Sequence, residues 1–156
     1  MNKPRRQPDR NFGRLYEKKL YDYLRPTRPF LIWNAEKDRF SKMDFNDKNG
    51  RRYELKSRRY NKKDFDKLGH MIEKSKIDYI KINPHRKVKI YYLYYDGLYC
   101  YDANRDKLGE GIHLGHGGRM DRGEDETKEQ AYINGKYLKF ITNKISVENI
   151  FDKCIL

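Results

Sequence analysis

The stretch of sequence that decides the fold runs from Met43 to Lys56 and reads MDFNDKNGRRYELK. Its centre suits a type I turn with Asp47 at the first position and Gly50 at the fourth, where glycine adopts the left-handed conformation. This turn predicts a β-hairpin, and counting outward from it pairs Phe45 with Tyr53. One face of the hairpin is therefore expected to be apolar.

The opposite face of the hairpin carries two carboxylates and an amine. In this register Asp44 lies opposite Glu54, and Lys56 points to the same side because residues two apart on a strand share a face. A two-residue turn at positions 49–50 would mix apolar and charged side chains on both faces, so we reject it. Neighbouring carboxylates repel each other, and a shared proton or a divalent cation relieves that repulsion near neutral pH.

Hard oxygen ligands favour Mg²⁺, for which Mn²⁺ can substitute. A cation held by Asp44 and Glu54 can bind a phosphate and lower the pKa of a water molecule. Lys56, next to them, can orient that water and offset the charge that develops in the transition state. The hairpin therefore predicts a site for phosphodiester hydrolysis.

Asp44, nine intervening residues and then Glu54-Leu55-Lys56 form a pattern that resembles the PD-(D/E)xK nuclease superfamily. The resemblance implies a restriction-endonuclease-like core of order αβββαβ over about residues 11–82, and a nuclease with Asp44, Glu54 and Lys56 as catalytic residues. In many members a glutamate of the first helix joins the metal site, which makes Glu17 the candidate here. The sequence departs from the pattern at Met43, where the superfamily often has proline.

The charge balance favours a polyanionic partner. The chain has 36 Lys and Arg against 23 Asp and Glu, a formal net charge of +13. We expect nucleic acid as this partner, because binding a polyanion releases its counterions, and we expect DNA rather than RNA. A membrane is not expected, since no long apolar span or basic amphipathic helix is visible. The predicted nucleic-acid-binding residues flank the hairpin site or lie in a glycine-rich stretch: Arg51, Arg52, Arg58, Arg59, Lys62, Lys63 and Arg119.

Hydrophobic periodicity and turn residues predict an α/β fold, with a mixed central β-sheet flanked by helices and extra strands and a short helix at the C-terminal end. Residues 1–10 are predicted to be a flexible basic arm, and residues 11–156 a single domain with a C-terminal extension over 83–156. Helices are predicted over 11–25, 61–72 and 146–153. Strands are predicted over 29–34, 40–46, 51–58, 77–82, 87–95, 98–101, and, as a hairpin turning at Asn134-Gly135, 131–133 and 136–141. The stretch 103–127 is predicted to be a long surface loop.

Several other residues carry weaker signals. His70 is interpreted as a partly buried packing residue rather than a general base. Lys76 could approach a phosphate, although a lysine at such a position is usually exposed. His113 and His116 lack the spacing of a zinc site and could instead touch substrate from a flexible loop. The tyrosines of 91–95 are interpreted mainly as core, with some able to stack on unpaired bases.

Two cysteines, Cys100 and Cys154, are too few for a disulfide framework and predict a reducing, intracellular setting in cytoplasm or nucleus. No signal peptide is visible in residues 1–11. Two alternatives remain open: a nucleic-acid-binding protein without catalysis on a degenerate nuclease fold, and a solvated polar face in which Glu54 and Lys56 merely form ion pairs. Duplex cleavage by a single active centre would need a homodimer or two successive nicks.

Overall fold

The computed structural model describes residues 7–34, 43–82, 87–103, 108–117 and 128–149. These residues form a mixed α/β fold, as the sequence predicts. Its α-helices are α1 (Gln7–Leu24) and α2 (Lys74–Ile82). Its strands are β1 (Ile32–Trp33), β2 (Phe45–Asn46), β3 (Arg52–Ser57), β4 (His70–Glu73), β5 (Val88–Tyr94), β6 (Gly97–Asp102), β7 (Ile112–Gly117), β8 (Lys128–Ile133) and β9 (Lys139–Thr142).

The larger sheet has six strands in the order β1-β2-β3-β5-β6-β9. Its β3 and β5 are parallel, whereas all other neighbours are antiparallel, so the sheet is mixed. Helix α1 covers one face, where Leu20 and Leu24 are buried with Phe45, Tyr53 and Tyr91. Strand β3 therefore lies in the interior of the sheet, and its side chains alternate between two buried faces.

The other face of the large sheet is covered by a second sheet and by α2. The second sheet is antiparallel, in the order β4-β8-β7. Ile72 of β4 and Ile133 of β8 are fully buried in one cluster with Ile90 and Tyr92 of β5 and with Ile77 of α2. Packing on this face brings β4 and α2 close to the side of β3 that carries Glu54 and Lys56.

The hairpin turn and register predicted between β2 and β3 are confirmed. Phe45 pairs with Tyr53, and Gly50 has a φ of +81°. The Gly50 N–H donates to the Asp47 carbonyl at 3.1 Å, and the Asp47 side chain accepts from the Arg51 N–H at 3.0 Å. Asp47 thus stabilises the turn with its backbone and its carboxylate together.

The predicted second helix and the strand after it are wrong. A 3-10 helix covers Lys62–Phe65, β4 follows it, and the predicted strand 77–82 is the second half of α2. Gly69 has a φ of +96°, which ends helical geometry before β4, and Leu68 of the predicted buried stripe is 68% exposed. Ile77 and Ile80 are buried three residues apart, which is the spacing of one face of a helix. A helix therefore buries the apolar residues of this segment as well as a strand would.

The C-terminal prediction is corrected in three places. The predicted loop 103–127 contains β7, and the predicted final hairpin does not exist because β8 and β9 belong to different sheets. A 3-10 turn at Gly135–Tyr137 leads from one sheet to the other. Residues 146–149 are not helical, although the predicted helix began at Ser146.

The first helix is confirmed but begins at Gln7, four residues inside the predicted basic arm. The strands expected over 29–34 and 40–46 are shorter, β1 and β2, while those over 51–58, 87–95 and 98–101 are confirmed as β3, β5 and β6. Some predictions concern residues outside the described ranges: the arm at 1–6, the strand start at 40–42, the loop over 104–107 and 118–127, the helix over 150–153, and Cys154.

Gly135 is expected to tolerate no side chain. A Cβ atom there would come within 2.0 Å of Asp66 Oδ1, which accepts from Lys62 and contacts His70. Gly135→Ala should lower the free energy of unfolding by about 2 kcal/mol, measured by urea denaturation, because overpacking displaces that carboxylate. The matched control is Gly13→Ala in α1, where the nearest atom to a Cβ is 3.8 Å away; it should raise stability by roughly 0.5–1 kcal/mol. Equal effects of the two substitutions would contradict the steric explanation.

Candidate functional site

The local backbone holds Asp44 against β3. Asp44 precedes β2, and its Oδ2 accepts a hydrogen bond from the Leu55 N–H at 2.9 Å, between Glu54 and Lys56. Asn34, buried at the end of β1, donates its side-chain amide to the Met43 carbonyl at 3.0 Å and its N–H to the Asp44 carbonyl at 2.8 Å. The hairpin and β1 therefore fix the backbone on both sides of this carboxylate.

Glu54 and Lys56 lie on the same side of β3, as predicted, and both are almost fully buried. Glu54 is 3% exposed and Lys56 is 8% exposed. Lys56 Nζ is 3.6 Å from Glu54 Oε1. Because a buried charge without a partner is strongly unfavourable, these groups must be compensated by their neighbours.

Two residues at the junction of β4 and α2 supply that compensation. Lys56 Nζ lies 2.6 Å from each carboxylate oxygen of Glu73, the last residue of β4. Lys76 of α2 donates to Glu54 Oε2 at 3.0 Å. We call Asp44, Glu54, Lys56, Glu73 and Lys76 the charged cluster.

The sequence signal for the two additional members of the charged cluster was weak. In the sequence Lys76 is only a minor candidate, and Glu73 is not one, because the sequence predicts that its segment lies at the end of a helix. The alternation of His70 and Ile72 with Met71 and Glu73 is the one signal that could have revealed the strand. It is short, and it competes with a helical spacing of apolar residues across 65–72.

The two carboxylates of the hairpin are harder to ionise than ordinary ones. Burial, followed by the negative charge of Asp44, raises the pKa of Glu54 to about 7, although Lys56 and Lys76 oppose the shift. Burial, followed by the negative charge of Glu17, raises the pKa of Asp44 to about 6. The pair is therefore poised to take up a proton or a cation near neutral pH.

Glu73 and Lys76 stay charged. Burial acts to raise the pKa of Glu73, but the charge of Lys56 and its hydrogen bond outweigh burial and bring that pKa to about 2. Burial acts to lower the pKa of Lys76, but the charges of Glu54 and Asp44 outweigh it and raise the pKa above its usual value. Both residues thus act as fixed charges around Glu54.

Glu17 lies close enough to the hairpin to interact electrostatically, but a tryptophan engages it. Its Oε1 accepts from Trp33 Nε1 at 3.0 Å. Burial raises its pKa, the Trp33 hydrogen bond lowers it, and the charge of Glu54 raises it again, with a net upward shift. The structure thus brings the α1 glutamate near the other predicted metal ligands.

The charges around the hairpin do not cancel. Four carboxylates face three cationic side chains, which leaves one negative charge in excess when all are ionised: Glu17, Asp44, Glu54 and Glu73 against Arg14, Lys56 and Lys76. A divalent cation would more than offset that excess, and oxygen donors from two carboxylates suit Mg²⁺, which keeps several waters. Within the described ranges, however, no group of three His, Cys, Asp or Glu residues is arranged to hold a metal ion. Asp44 and Glu54 would therefore have to hold Mg²⁺ as two carboxylate ligands, with water completing its coordination.

The predicted nucleic-acid-binding residues lie in different environments. Arg51 and Lys63 are exposed, and Arg52 is half-buried. Lys62 Nζ is bound to Asp66 at 3.0 Å and 3.1 Å, so it is engaged within the protein. The remaining three are Arg58, which donates to the Ser57 carbonyl, Arg59, which lies 3.9 Å above the Phe12 ring, and Arg119, which is outside the described residues.

His70 is a buried packing residue. It is 1% exposed on β4, with Nε2 2.7 Å from Asp66 Oδ1 and Nδ1 in contact with the Tyr94 hydroxyl. Burial, partly opposed by Asp66, lowers its pKa. Tyr91, Tyr92 and Tyr94 are likewise buried, so these rings belong to the core.

Comparison of the chain with protein-family models, with curated proteins and with solved structures finds no match. Across the described part of the chain, no helix combines the length and the apolar character that crossing a membrane requires. The function can therefore be inferred only from the geometry and chemistry of the charged cluster.

Asp44 is expected to reduce the stability of the protein while it is ionised. Its folded-state pKa of about 6 lies above the ordinary value of 3.8, so the cost is absent below pH 4, grows as the pH rises, and is complete above pH 6. Asp44→Asn keeps an oxygen for the Leu55 N–H and should raise the free energy of unfolding by on the order of 2 kcal/mol at pH 8 in EDTA, with the gain fading towards pH 4. The exposed control Asp22→Asn, whose partner is Lys18, should change stability by less than about 0.5 kcal/mol. If Asp44→Asn instead lowers the free energy of unfolding at pH 8, the ionised Asp44 carboxylate does not destabilise the folded protein.

Proposed function

We propose that this protein is a Mg²⁺-dependent nuclease that hydrolyses internal phosphodiester bonds of DNA. The observation that carries the proposal is the convergence of Asp44, Glu54 and Lys56 on one side of β3, in a buried site with two raised carboxyl pKa values. The order α1, β1, β2, β3, α2, β5 supports a restriction-endonuclease-like core, with β4 as an insertion. The net charge of +13 supports a nucleic-acid substrate.

Asp44 and Glu54 would hold the cation, and Glu17 is positioned to support them. Bound Mg²⁺, or Mn²⁺ in its place, would supply Lewis-acid stabilisation of the phosphate and lower the pKa of a nearby water. Since Lys76 donates to Glu54 Oε2, its ammonium group would have to give up that contact for this oxygen to hold the cation. Lys76 can then neutralise charge on the phosphate.

Lys56 orients the attacking water and stabilises the negative charge that develops on phosphorus-bound oxygens. The water oxygen forms a bond to phosphorus, the bond from phosphorus to one sugar oxygen breaks, and a proton from water ends on the leaving oxygen. Glu73 accepts a hydrogen bond from Lys56 Nζ at 2.6 Å and acts on the reacting groups through that lysine. It is therefore a positioning residue.

A second candidate function is nucleic-acid binding without catalysis. It is favoured by the internal pairing of Glu54, whose two oxygens already face Lys56 and Lys76 at 3.6 Å and 3.0 Å. A cluster neutralised by its own lysines could serve stability alone. The two candidates differ in whether the cluster reacts with a phosphodiester, and a direct assay separates them.

The decisive assay is cleavage of labelled duplex, single-stranded, flap and junction DNA and of RNA, in Mg²⁺, Mn²⁺ and EDTA. Lys56→Met and Asp44→Asn should each lower the cleavage rate by about 100-fold or more, because each removes a group that acts on the transition state. Binding of the same DNA should persist. Lys18→Met, an exposed lysine paired with Asp22 on α1, is the control and should cleave normally.

A wild-type protein that binds DNA but cuts none of these substrates would favour the non-catalytic candidate. Cleavage that survives both Lys56→Met and Asp44→Asn would refute the assigned site.

Lys76 is expected to compete with the metal. Lys76→Gln removes the positive charge 3.0 Å from Glu54, so Mn²⁺ should bind about tenfold more tightly, as measured by calorimetry without nucleic acid. Cleavage should nevertheless fall, because the phosphate loses a cationic partner. Lys74→Gln, on the same helix but paired with Asp78, is the matched control and should leave Mn²⁺ affinity unchanged. Weaker Mn²⁺ binding by Lys76→Gln would contradict a competing role.

A further inference from the structure

The second sheet carries an aromatic pair on the face turned away from the core. His113 of β7 and Tyr132 of β8 are directly opposite in the strand register. Their rings stack with centroids 5.4 Å apart and planes at 17°. His113 is exposed and Tyr132 is half-buried. Together with Gly115, the next residue of β7 on this face, we call them the aromatic platform.

Glycines hold the aromatic platform in place. A Cβ atom on Gly115 would lie 3.1 Å from Tyr132 Cε2, so the tyrosine ring lies across the bare backbone of β7. A Cβ atom on Gly69 would lie 2.8 Å from Tyr132 Cβ and 3.2 Å from His113 Cε1. Both rings are therefore packed tightly from one side, and a fixed ring loses little conformational entropy when a ligand binds it.

The aromatic platform lies close to the charged cluster. In the register of β4 and β8, Glu73 pairs with Gln130 and Met71 pairs with Tyr132. Two residues along a strand span roughly 7 Å, and adjacent strands are about 5 Å apart, so the Tyr132 backbone is roughly 9 Å from that of Glu73. Glu73 in turn contacts Lys56. A nucleic-acid strand, with about 3.4 Å per nucleotide in a duplex, spans this distance with a few nucleotides.

The edge of the second sheet adds hydrogen-bond donors. Strand β7 is the last strand in the order β4-β8-β7, so within the described residues its outer backbone groups face no further strand. Stacked rings and an excess of positive charge are features with which proteins bind single strands.

We infer that the aromatic platform stacks unpaired nucleobases and so directs a single-stranded segment of nucleic acid to the charged cluster. This inference rests on the proposed nuclease function and specifies its substrate as single-stranded or branched. Paired bases cannot use the platform, since their faces are covered by neighbouring bases within the duplex. If the rings served only as a cross-strand pair, they would stabilise the sheet without affecting the choice of nucleic acid.

Binding in EDTA tests the inference without any cleavage. The probes are a labelled single strand of about 12 nucleotides, as DNA and as RNA, and a DNA duplex of equal length, followed by fluorescence anisotropy. Tyr132→Ile keeps a strand-forming side chain but removes the π face, and should weaken single-strand binding about tenfold with less than twofold change for the duplex. Tyr132→Phe should bind as the wild type does. Phe140→Ile, which removes an exposed ring from β9 of the other sheet, is the matched control and should change nothing.

Equal weakening of single strand and duplex, or full single-strand binding by Tyr132→Ile, overturns the inference. Tighter binding of single-stranded RNA or of single-stranded DNA shows which sugar the protein prefers. A loss of binding to either strand in Tyr132→Ile supports the role of the aromatic platform. If Tyr132→Ile fails to fold, photocrosslinking of the wild type to an oligonucleotide bearing 5-iodouracil replaces it. Crosslinks in peptides that contain Tyr132 or His113 support the inference, and crosslinks confined to other peptides refute it. Cleavage of single strands with no effect of Tyr132→Ile would leave the proposed function standing and reject the platform alone.

Discussion

The structure depends on one buried carboxylate. Glu54 is in the middle of a central strand, 3% exposed, and a charge in that position must be balanced or neutralised. Lys56 from the same strand and Lys76 from α2 provide the balance, and Glu73 in turn balances Lys56. This chain of ion pairs ties β3, the end of β4 and the start of α2 to one point of the sheet.

The same arrangement leaves the site short of positive charge on the Asp44 side. Asp44 and Glu54 have raised pKa values because they are buried near each other and near Glu17, so folding leaves unfavourable energy in this region. Natural proteins commonly tolerate such a cost where a ligand later relieves it. Under the proposed function, a divalent cation would relieve this cost, and the lysines that compensate the carboxylates could then interact with an anionic substrate.

The second sheet gives the proposed site its surroundings. Strand β4 belongs to that sheet, and its last residue, Glu73, contacts Lys56. Because β4 pairs with β8, and β8 with β7, this strand connects the charged cluster to the His113–Tyr132 pair. Gly69 makes this connection because its positive φ ends the turn that follows the 3-10 helix, and because its lack of a side chain leaves space beside both residues. Substrate recognition and chemistry would thus share a single structural element.

Local chemistry made the hairpin predictable. The turn at Asp47 and Gly50 depends on residues within four positions of each other, and its register places Asp44 beside Glu54 and Lys56 of β3. Burial of the α1 stripe and the strands β5 and β6 also followed from periodicity over neighbouring residues. In these segments, local preference and tertiary packing demand the same structure.

Only the tertiary structure decided the partners of that hairpin. The segment 65–72 has helical spacing of apolar residues, but β4 forms because His70 and Ile72 find partners in β8, about sixty residues later in the chain. That pairing brings in Glu73 and, through the helix that follows, Lys76. A sequence contains such residues without marking them, because long-range packing, not local propensity, determines which charges meet in the interior.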